Sequence, residues 1–447
     1  MPRNLYEGSI IKNIGIFSIP FLISNFLQTL YGMADLFIVG QYTDAAGITA
    51  VAVGSQVMHF VTVILVGLTM GTTVLISQAV GGKRHGEISR ILGTTAVLFA
   101  IVSVVMMAVL LALCPQVVSL LSTPKEAVND TVNYLIICFC GIPFITAYNV
   151  IAAAFRGLGD TKSPMYFVTV ACVLNIALDY VFIGGLQMGA SGAAVATIVA
   201  QTFSVGLSLW AIKFSKRVNF GVSLSRQDLK LDKPLLKSLA KIGVPIACQE
   251  GFIQVSFLFI TLIANSRGLE IAAAVGVVEK IICFLFLVPS AMLSSVSAIS
   301  AQNIGAGHYD RARQTLYCGM AIAGAFGLAC GILFQFISEP VLALFTEDAK
   351  VIAFGTQYLH AYVFDCMVAG LHFCFSGYFC ACGLSIVSFI HNAVSIVTLR
   401  VPGAYLAAIW YPDTLFPMGI ATLSGSFLSV VICVVVYLVI ERRRSKS

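Results

Sequence analysis

The stretch KFSKRVNFGVSLSRQDLKLDKPLLKSLAK (residues 213–241) decides how this chain is organised. It carries eight basic residues, Lys213, Lys216, Arg217, Arg226, Lys230, Lys233, Lys237 and Lys241, and it interrupts two long apolar halves. Upstream, breaks in hydropathy give apolar segments at 14–40, 48–79, 91–113, 131–155, 164–184 and 191–212. Downstream they fall at 243–265, 271–302, 315–337, 351–378, 389–410 and 417–440, so the stretch divides them six and six. The domains read from this are 1–212, a basic cytoplasmic linker at 213–241, and 242–447.

The composition names the solvent. Of 447 residues, 59% are hydrophobic and 10% charged, and the mean hydropathy is +0.95. A soluble domain carries about 45–50% apolar and about 25% charged residues. This chain has too little charge to cover a surface in water, so a bilayer takes that role. A spanning helix needs roughly 20 mostly apolar residues, which every segment supplies. The thirteen cysteines sit mostly inside apolar runs and read as small buried side chains, not as a disulfide framework. Cys380-x-Cys382 lacks the second pair that a zinc site requires. The first apolar run continues past Pro20 as a full span with no cleavage pattern, so no signal peptide is expected.

Charge placement gives orientation. One side takes Arg3, Lys12, Lys83, Arg84, Arg90, Arg156, Lys162, the eight linker residues, Arg311, Arg313 and the tail Arg442, Arg443, Arg444 and Lys446, which is 21 of the 26 basic residues. The other side holds Lys125, Arg267 and Lys350. Positive charge stays cytoplasmic, so both termini are expected inside a cytoplasmic (inner) membrane.

The halves repeat at an offset of about 225 residues. Ile19-Pro20 answers Val244-Pro245, and Ser77-Gln78-Ala79-Val80-Gly81-Gly82 answers Ala301-Gln302-Asn303-Ile304-Gly305-Ala306. Arg156-Gly157-Leu158-Gly159 answers Cys380-Ala381-Cys382-Gly383, and the run from Gly192 answers the run from Gly419. An even number of spans per repeat puts both in the same orientation, related by an axis along the membrane normal.

Ionisable residues within spans are costly, at least about 2.5–3.5 kcal/mol on insertion scales, and mark function. The acids are Asp35, Asp179, Glu250, Glu279 and Asp365; the bases are Lys280 and Arg400. The excess of acid is met by transported cations or bound protons. Asn175 and Asp179 stand four apart on one helix face, and with Asp35 and the Thr197 hydroxyl they offer hard oxygen ligands for sodium or a proton. Asp365 lies amid Tyr362, Phe364, Cys366 and Met367, aromatic and thioether surroundings suited to a lipophilic cation. Arg400 is a partner for Glu250, Glu279 or Asp365, and the bland reading of this group is a set of internal salt bridges. His59, His360 and His372 show no metal-ligand spacing. Pro20 removes a backbone donor and can bend the first span. No Gly-x4-Gly-Lys-Ser/Thr motif occurs, so the chain itself is not expected to hydrolyse ATP.

These marks together resemble the multidrug and toxic-compound extrusion (MATE) family, of bacterial type. The resemblance rests on Asp35 within Met33–Gly40, Gln78-Ala79-Val80-Gly81-Gly82, Phe155-Arg156-Gly157-Leu158-Gly159-Asp160-Thr161, Asn175-x3-Asp179 followed by Phe182, and Gln302-Asn303-Ile304-Gly305-Ala306-Gly307. It implies an all-α integral membrane protein of twelve transmembrane helices, in two six-helix bundles related by pseudo-two-fold symmetry and arranged in a V. It also implies antiport of amphipathic organic cations out of the cell against inward Na+ or H+. By resemblance, Asp35, Asn175, Asp179 and Thr197 form the N-lobe cation site with Tyr31 lining the cavity, and Pro20 is the bending proline. Glu250 and Asp365 match the family's seventh- and tenth-helix acids. No cofactor, enzymatic step or nucleic-acid partner is expected beyond the coupling ion, the bilayer and the exported compound, and the chain is expected to act as a monomer. The alternatives are a flippase of a lipid-linked precursor or an exporter of another metabolite, and third a membrane-embedded enzyme.

Overall fold

The computed structural model describes residues 4–121, 123–214 and 227–444, and these form helices, turns and loops with no strand among them. In chain order the helices are α1 (Ile10–Tyr42), α2 (Ala45–Gly81), α3 (His85–Leu120), α4 (Val128–Cys140), α5 (Ile142–Gly157), α6 (Lys162–Asp179) and α7 (Gly189–Phe214). The second half continues with α8 (Lys233–Asn265), α9 (Leu269–Leu285), α10 (Leu287–Gly305), α11 (Tyr309–Ala343), α12 (Ala349–Tyr362), α13 (Asp365–Ala381), α14 (Ser385–Ser395), α15 (Val401–Trp410) and α16 (Phe416–Arg444). Wider π-helical turns follow α6 (Tyr180–Gly185) and join α14 to α15 (Ile396–Arg400).

Among the described residues, eleven helical stretches are long and apolar enough to cross a membrane, and the pair α4–α5, bent by 48°, supplies a twelfth. The apolar segment expected at 131–155 is therefore bent. Its break is chemical. Pro143, in the first turn of α5, cannot donate to the preceding turn, and Gly141 packs so closely on the Ile198 side chain that a Cβ would overlap it. Elsewhere the helices outrun the apolar runs. Hydropathy marks where apolar residues begin, but α2 starts three residues before 48, at Ala45, because Asp44 caps it by accepting from the Gly47 amide at 3.0 Å. Likewise α8 begins inside the basic linker at Lys233. Lys216, Arg217 and Arg226 of that linker, with Arg3 and Lys446, lie outside the described residues.

The repeat is visible in turn geometry. After α2, the amides of Gly82, Lys83 and Arg84 return to Gln78, Val80 and Ala79; after α10, those of Ala306, Gly307 and His308 return to Gln302, Ile304 and Asn303. The same pattern follows α5 at Leu158, Gly159 and Asp160, and α13 at Cys382, Gly383 and Leu384. These are Schellman-type endings, which need a left-handed residue. Lys83, Gly307, Gly159 and Gly383 supply it with φ of 55°, 79°, 82° and 72°.

Contacts group the chain into two compact units. One contains Ile19–Gly243, and the other contains Tyr6–Ser18 with the chain from Val244 onward. In both repeats the change of unit falls just before the proline, Pro20 in α1 and Pro245 in α8, and each helix runs through its proline unbroken. The first unit is built around α2, whose most apolar window is 61% buried, and the second around α12–α13, where the figure is 83%. Other spans bury far less and turn Phe37, Val173, Trp210, Leu262 and Phe336 outward, as lipid-facing helices do. Close approach fixes both cores. Thr73 and Ser77 hydroxyls bond the Ala153 and Gly157 carbonyls across α2 and α5, and Gly377 of α13 lies against the Leu293 carbonyl of α10.

Candidate functional site

In the first unit, α1, α6 and α7 bring four of the expected residues together. Asp35 and Asp179 are buried, at 3% and 0% exposure, and Asn175 at 1%. The Thr197 hydroxyl donates to Asp35 Oδ2 at 3.3 Å, and Asn175 Nδ2 donates to Thr197 Oγ1 at 3.4 Å. Asp179 sits one helical turn beyond Asn175, at the point where α6 widens into its π-helical turn, and its carboxyl group interacts with that of Asp35. Among the described residues, neither oxygen of Asp179 accepts a hydrogen bond, and neither acid has a Lys or Arg partner.

Magnitudes decide what this arrangement requires. A neutral hydrogen bond contributes about 0.5–1.5 kcal/mol net, whereas a buried ion costs several kcal/mol. One hydroxyl and one amide therefore cannot hold two carboxylates as anions. The pair needs a proton, a cation, or both. Oxygen ligands from two carboxylates, an amide and a hydroxyl suit a hard monovalent ion as well as a proton.

A small polar pocket opens beside Thr197. Gln28, Tyr31, Tyr134, Tyr148, Asn149 and Gln201 line it with Met58, Cys138 and Ile145, and no Lys or Arg lines it. Gln201 Nε2 donates to the Tyr31 hydroxyl at 3.4 Å. Tyr31 was expected here, and the other polar residues were not. Gln28, Tyr31 and Asp35 lie at i, i+3 and i+7 on α1, a spacing that puts them on one face. Gln201 stands one turn beyond Thr197, so the periodicity of those two helices held the signal.

The second unit is arranged differently. Arg400, 7% exposed, ends the π-helical turn before α15; its Nη1 lies 3.8 Å from Asp365 Oδ2, and its Nη2 donates to the Tyr362 hydroxyl at 2.7 Å. Its guanidinium also stacks over Phe257, 5.2 Å from the ring centre. Glu279 accepts from the Thr261 hydroxyl at 3.2 Å, within electrostatic reach of Arg400. Lys280, the next residue, is exposed and stands apart from the group. Glu250 is half-buried on α8 and has no ion pair or hydrogen bond among the described residues. Of the candidate partners for Arg400, Asp365 is the direct one. The described residues contain no group of three or more His, Cys, Asp or Glu placed to hold a metal, and every cysteine is free.

Comparison with known proteins adds three findings. The MatE family model matches residues 20–181 and again 245–406, two copies 225 residues apart (20 to 245, 181 to 406). Among curated proteins, the chain is 28% identical over 414 residues to the "Probable multidrug resistance protein YpnP" of Bacillus subtilis (strain 168), covering 93% of this chain and 92% of that one. It is 23% identical over 407 residues to the "Multidrug export protein MepA" of Staphylococcus aureus (strain MSSA476), covering 89% and 88%. In fold, it matches a solved structure described as the outward-facing conformation of a multidrug resistance MATE family transporter of the MOP superfamily, with TM-score 0.91, 21% identity, and 99% and 98% coverage.

Proposed function

We propose that this chain, which belongs to the MatE family of membrane transporters, exports amphipathic organic cations across a cytoplasmic membrane against an inward flow of Na+ or H+. The observation that carries this reading is the Asp35–Asp179 pair, two buried carboxyl groups without a basic partner. In the second unit, by contrast, Arg400 already meets Asp365 and reaches toward Glu279. The unit with uncompensated negative charge is the one that takes up the coupling ion, so we assign coupling to Asp35, Asn175, Asp179 and Thr197.

The same pair attracts the cationic end of a substrate. Tyr31, Tyr134 and Tyr148 offer ring faces and hydroxyls beside it, and Gln28, Asn149 and Gln201 offer adaptable hydrogen bonds. Ion and substrate then compete for one set of charges, which is what exchange requires: arrival of the coupling cation neutralises the carboxylates and releases the cargo. Alternating access uses the proline-containing helices α1 and α8, and Pro20 is the residue we assign to bending. A flippase of pyrophosphate-linked lipid would need cationic lining, and the pocket has none. We further propose that both termini are cytoplasmic and that the monomer is the working unit.

The test is efflux of a fluorescent organic cation from proteoliposomes, with sodium and proton gradients imposed separately. Drive by either gradient supports the reading. A cation that moves under neither refutes it.

A further inference from the structure

The eleventh span turns a wholly polar face toward the protein and an apolar one outward. The buried residues of α14 are Ser385, Ser388, His391, Asn392 and Ser395, all polar, while Ile386, Ile390, Val394 and the following Val397 are exposed. A lipid-facing helix in a membrane gains nothing by turning polar groups inward unless they meet partners or water. Some do meet partners. His391 Nε2 and the Ser376 hydroxyl of α13 share a hydrogen bond of 2.9 Å, Ser388 donates to the Ser376 carbonyl at 3.4 Å, and Ser395 donates to the Gly425 carbonyl of α16.

Others do not. His372 Nδ1, His391 Nδ1, Asn392 Nδ2 and Arg400 Nε are buried without a hydrogen-bond partner among the described residues. The two imidazoles face each other edge to face, ring centres 5.4 Å apart, at 4% and 0% exposure. Each unsatisfied buried group costs about 1–3 kcal/mol. His372 lies on α13 and His391 and Asn392 on α14, which packs against it, while Arg400 ends the turn that follows α14; ordered water is the ordinary partner of such groups.

Their positions form a line. On α13, Ser376, His372 and Asp365 are separated by four and seven residues, so they follow one face, with about 10 Å between His372 and Asp365 at about 1.5 Å per residue. Asp365 is itself paired with Arg400, and Arg400 and His391 are the ionisable groups that act on His372. The elements packed on this pair from α16 bring hydroxyls: Ser429 donates to the His391 carbonyl at 3.2 Å.

We propose that the polar face of α14 and the facing residues of α13 enclose a file of water along which protons reach Asp365, with His391 and His372 as the relaying side chains. A proton enters one ring nitrogen of His391 while the proton on its other nitrogen leaves to the next water, and the same exchange occurs at His372. The last transfer converts the Asp365 carboxylate to the acid and leaves Arg400 without its counter-charge. No carbon bond changes and no other reactant is consumed. This inference adds a proton site in the second unit to the coupling site assigned to the first. It rests on that reading only for its purpose, because proton arrival at Asp365 is measurable without substrate or gradient.

The experiment is time-resolved infrared spectroscopy of the full chain in lipid nanodiscs after photorelease of protons. The carboxylic C=O band of Asp365 is identified by its loss in Asp365→Asn. In His391→Phe and His372→Phe the band is expected to rise roughly tenfold or more slowly than in wild type, with the same final amplitude. His391→Asn, which keeps a polar group on the face, is expected between the two, and unchanged gel-filtration profiles separate this from misfolding. A band that rises at the wild-type rate in both Phe variants overturns the relay. So does a wild-type protein in which no Asp365 band develops at any pH where the fold persists. Either result leaves drug export by the first unit untouched, and failure of export leaves this measurement valid.

Discussion

The hydroxyl of Thr197 donates to a carboxylate oxygen of Asp35 at 3.3 Å, tying the sixth span to the first across 162 positions of sequence. That bond satisfies one oxygen of a two-carboxyl site and leaves Asp179 without any. Asp179→Asn removes a charge that no Lys or Arg among the described residues offsets. It is expected to insert normally, to unfold at the same or a higher temperature, and to lose ion-driven efflux. Gain in stability with loss of activity is the signature of a group kept for function. A well-expressed Asp179→Asn protein that pumps like wild type would sink the assignment.

On the proposed reading, substrate and ion contacts separate at Tyr31. Its hydroxyl accepts from Gln201 within the pocket, one turn of α1 away from Asp35. Tyr31→Phe keeps the ring and drops the hydroxyl, so the KM for an aromatic cation is expected to rise roughly threefold to tenfold, as one hydrogen bond implies. The maximal ion-driven rate is expected to stay close to wild type. Equal losses in both parameters would place Tyr31 in the coupling step instead.

Much of this architecture is legible in the sequence because the bilayer makes hydropathy nearly sufficient. The six-and-six division and the matched runs Ser77–Gly82 and Ala301–Ala306 follow from residue type and order, whereas the left-handed turn at Lys83, which is not a glycine, does not. The break in the fourth span was also written there, in Gly141-Ile142-Pro143, but an unbroken apolar run masks it. Partner choice is not local. Arg400 pairs with Asp365 and not Glu250 because the fold brings the end of the π-helical turn before α15 to the first residue of α13, which no spacing within one helix encodes. The polar face of α14 shows the same limit. Its serines and histidine stand at helical intervals, yet only the exposed Ile386 and Ile390 opposite reveal which side is buried.

The start of α8 is held by backbone approach, not by charge. A Cβ on Gly243 would overlap the Leu68 carbonyl oxygen, and one on Gly71 would lie 2.6 Å from that of Leu239. Neither carbonyl can move without disturbing a helix. Gly243→Leu is expected to destabilise by about 1–3 kcal/mol or more, the usual cost of overpacking. Nearby, Arg90 pairs with Asp232 at the surface. Arg90→Ala is expected to cost less than about 1 kcal/mol. Thermal survival of the two variants in detergent checks the order, and a larger loss in Arg90→Ala would reverse the argument.

Arg400 is where the second unit concentrates its electrostatic risk. One guanidinium serves Asp365, the Tyr362 hydroxyl and the face of Phe257 together. Arg400→Leu would strand a carboxylate that is 0% exposed, a loss of about 3–5 kcal/mol when a buried pair is broken on one side. Arg400→Lys retains charge but cannot span Asp365 and Tyr362 with a planar fork, so it is expected to recover only part of that loss. The combination of Arg400→Leu with Asp365→Leu removes both charges, and buried pairs replaced by apolar residues are often neutral in stability. Its thermal survival is therefore expected to exceed that of Arg400→Leu alone, a coupling that a double-mutant cycle reads directly. If the double variant is no more stable than the single one, the penalty lies in lost packing on Phe257, and the ion pair does not govern the stability of the second unit.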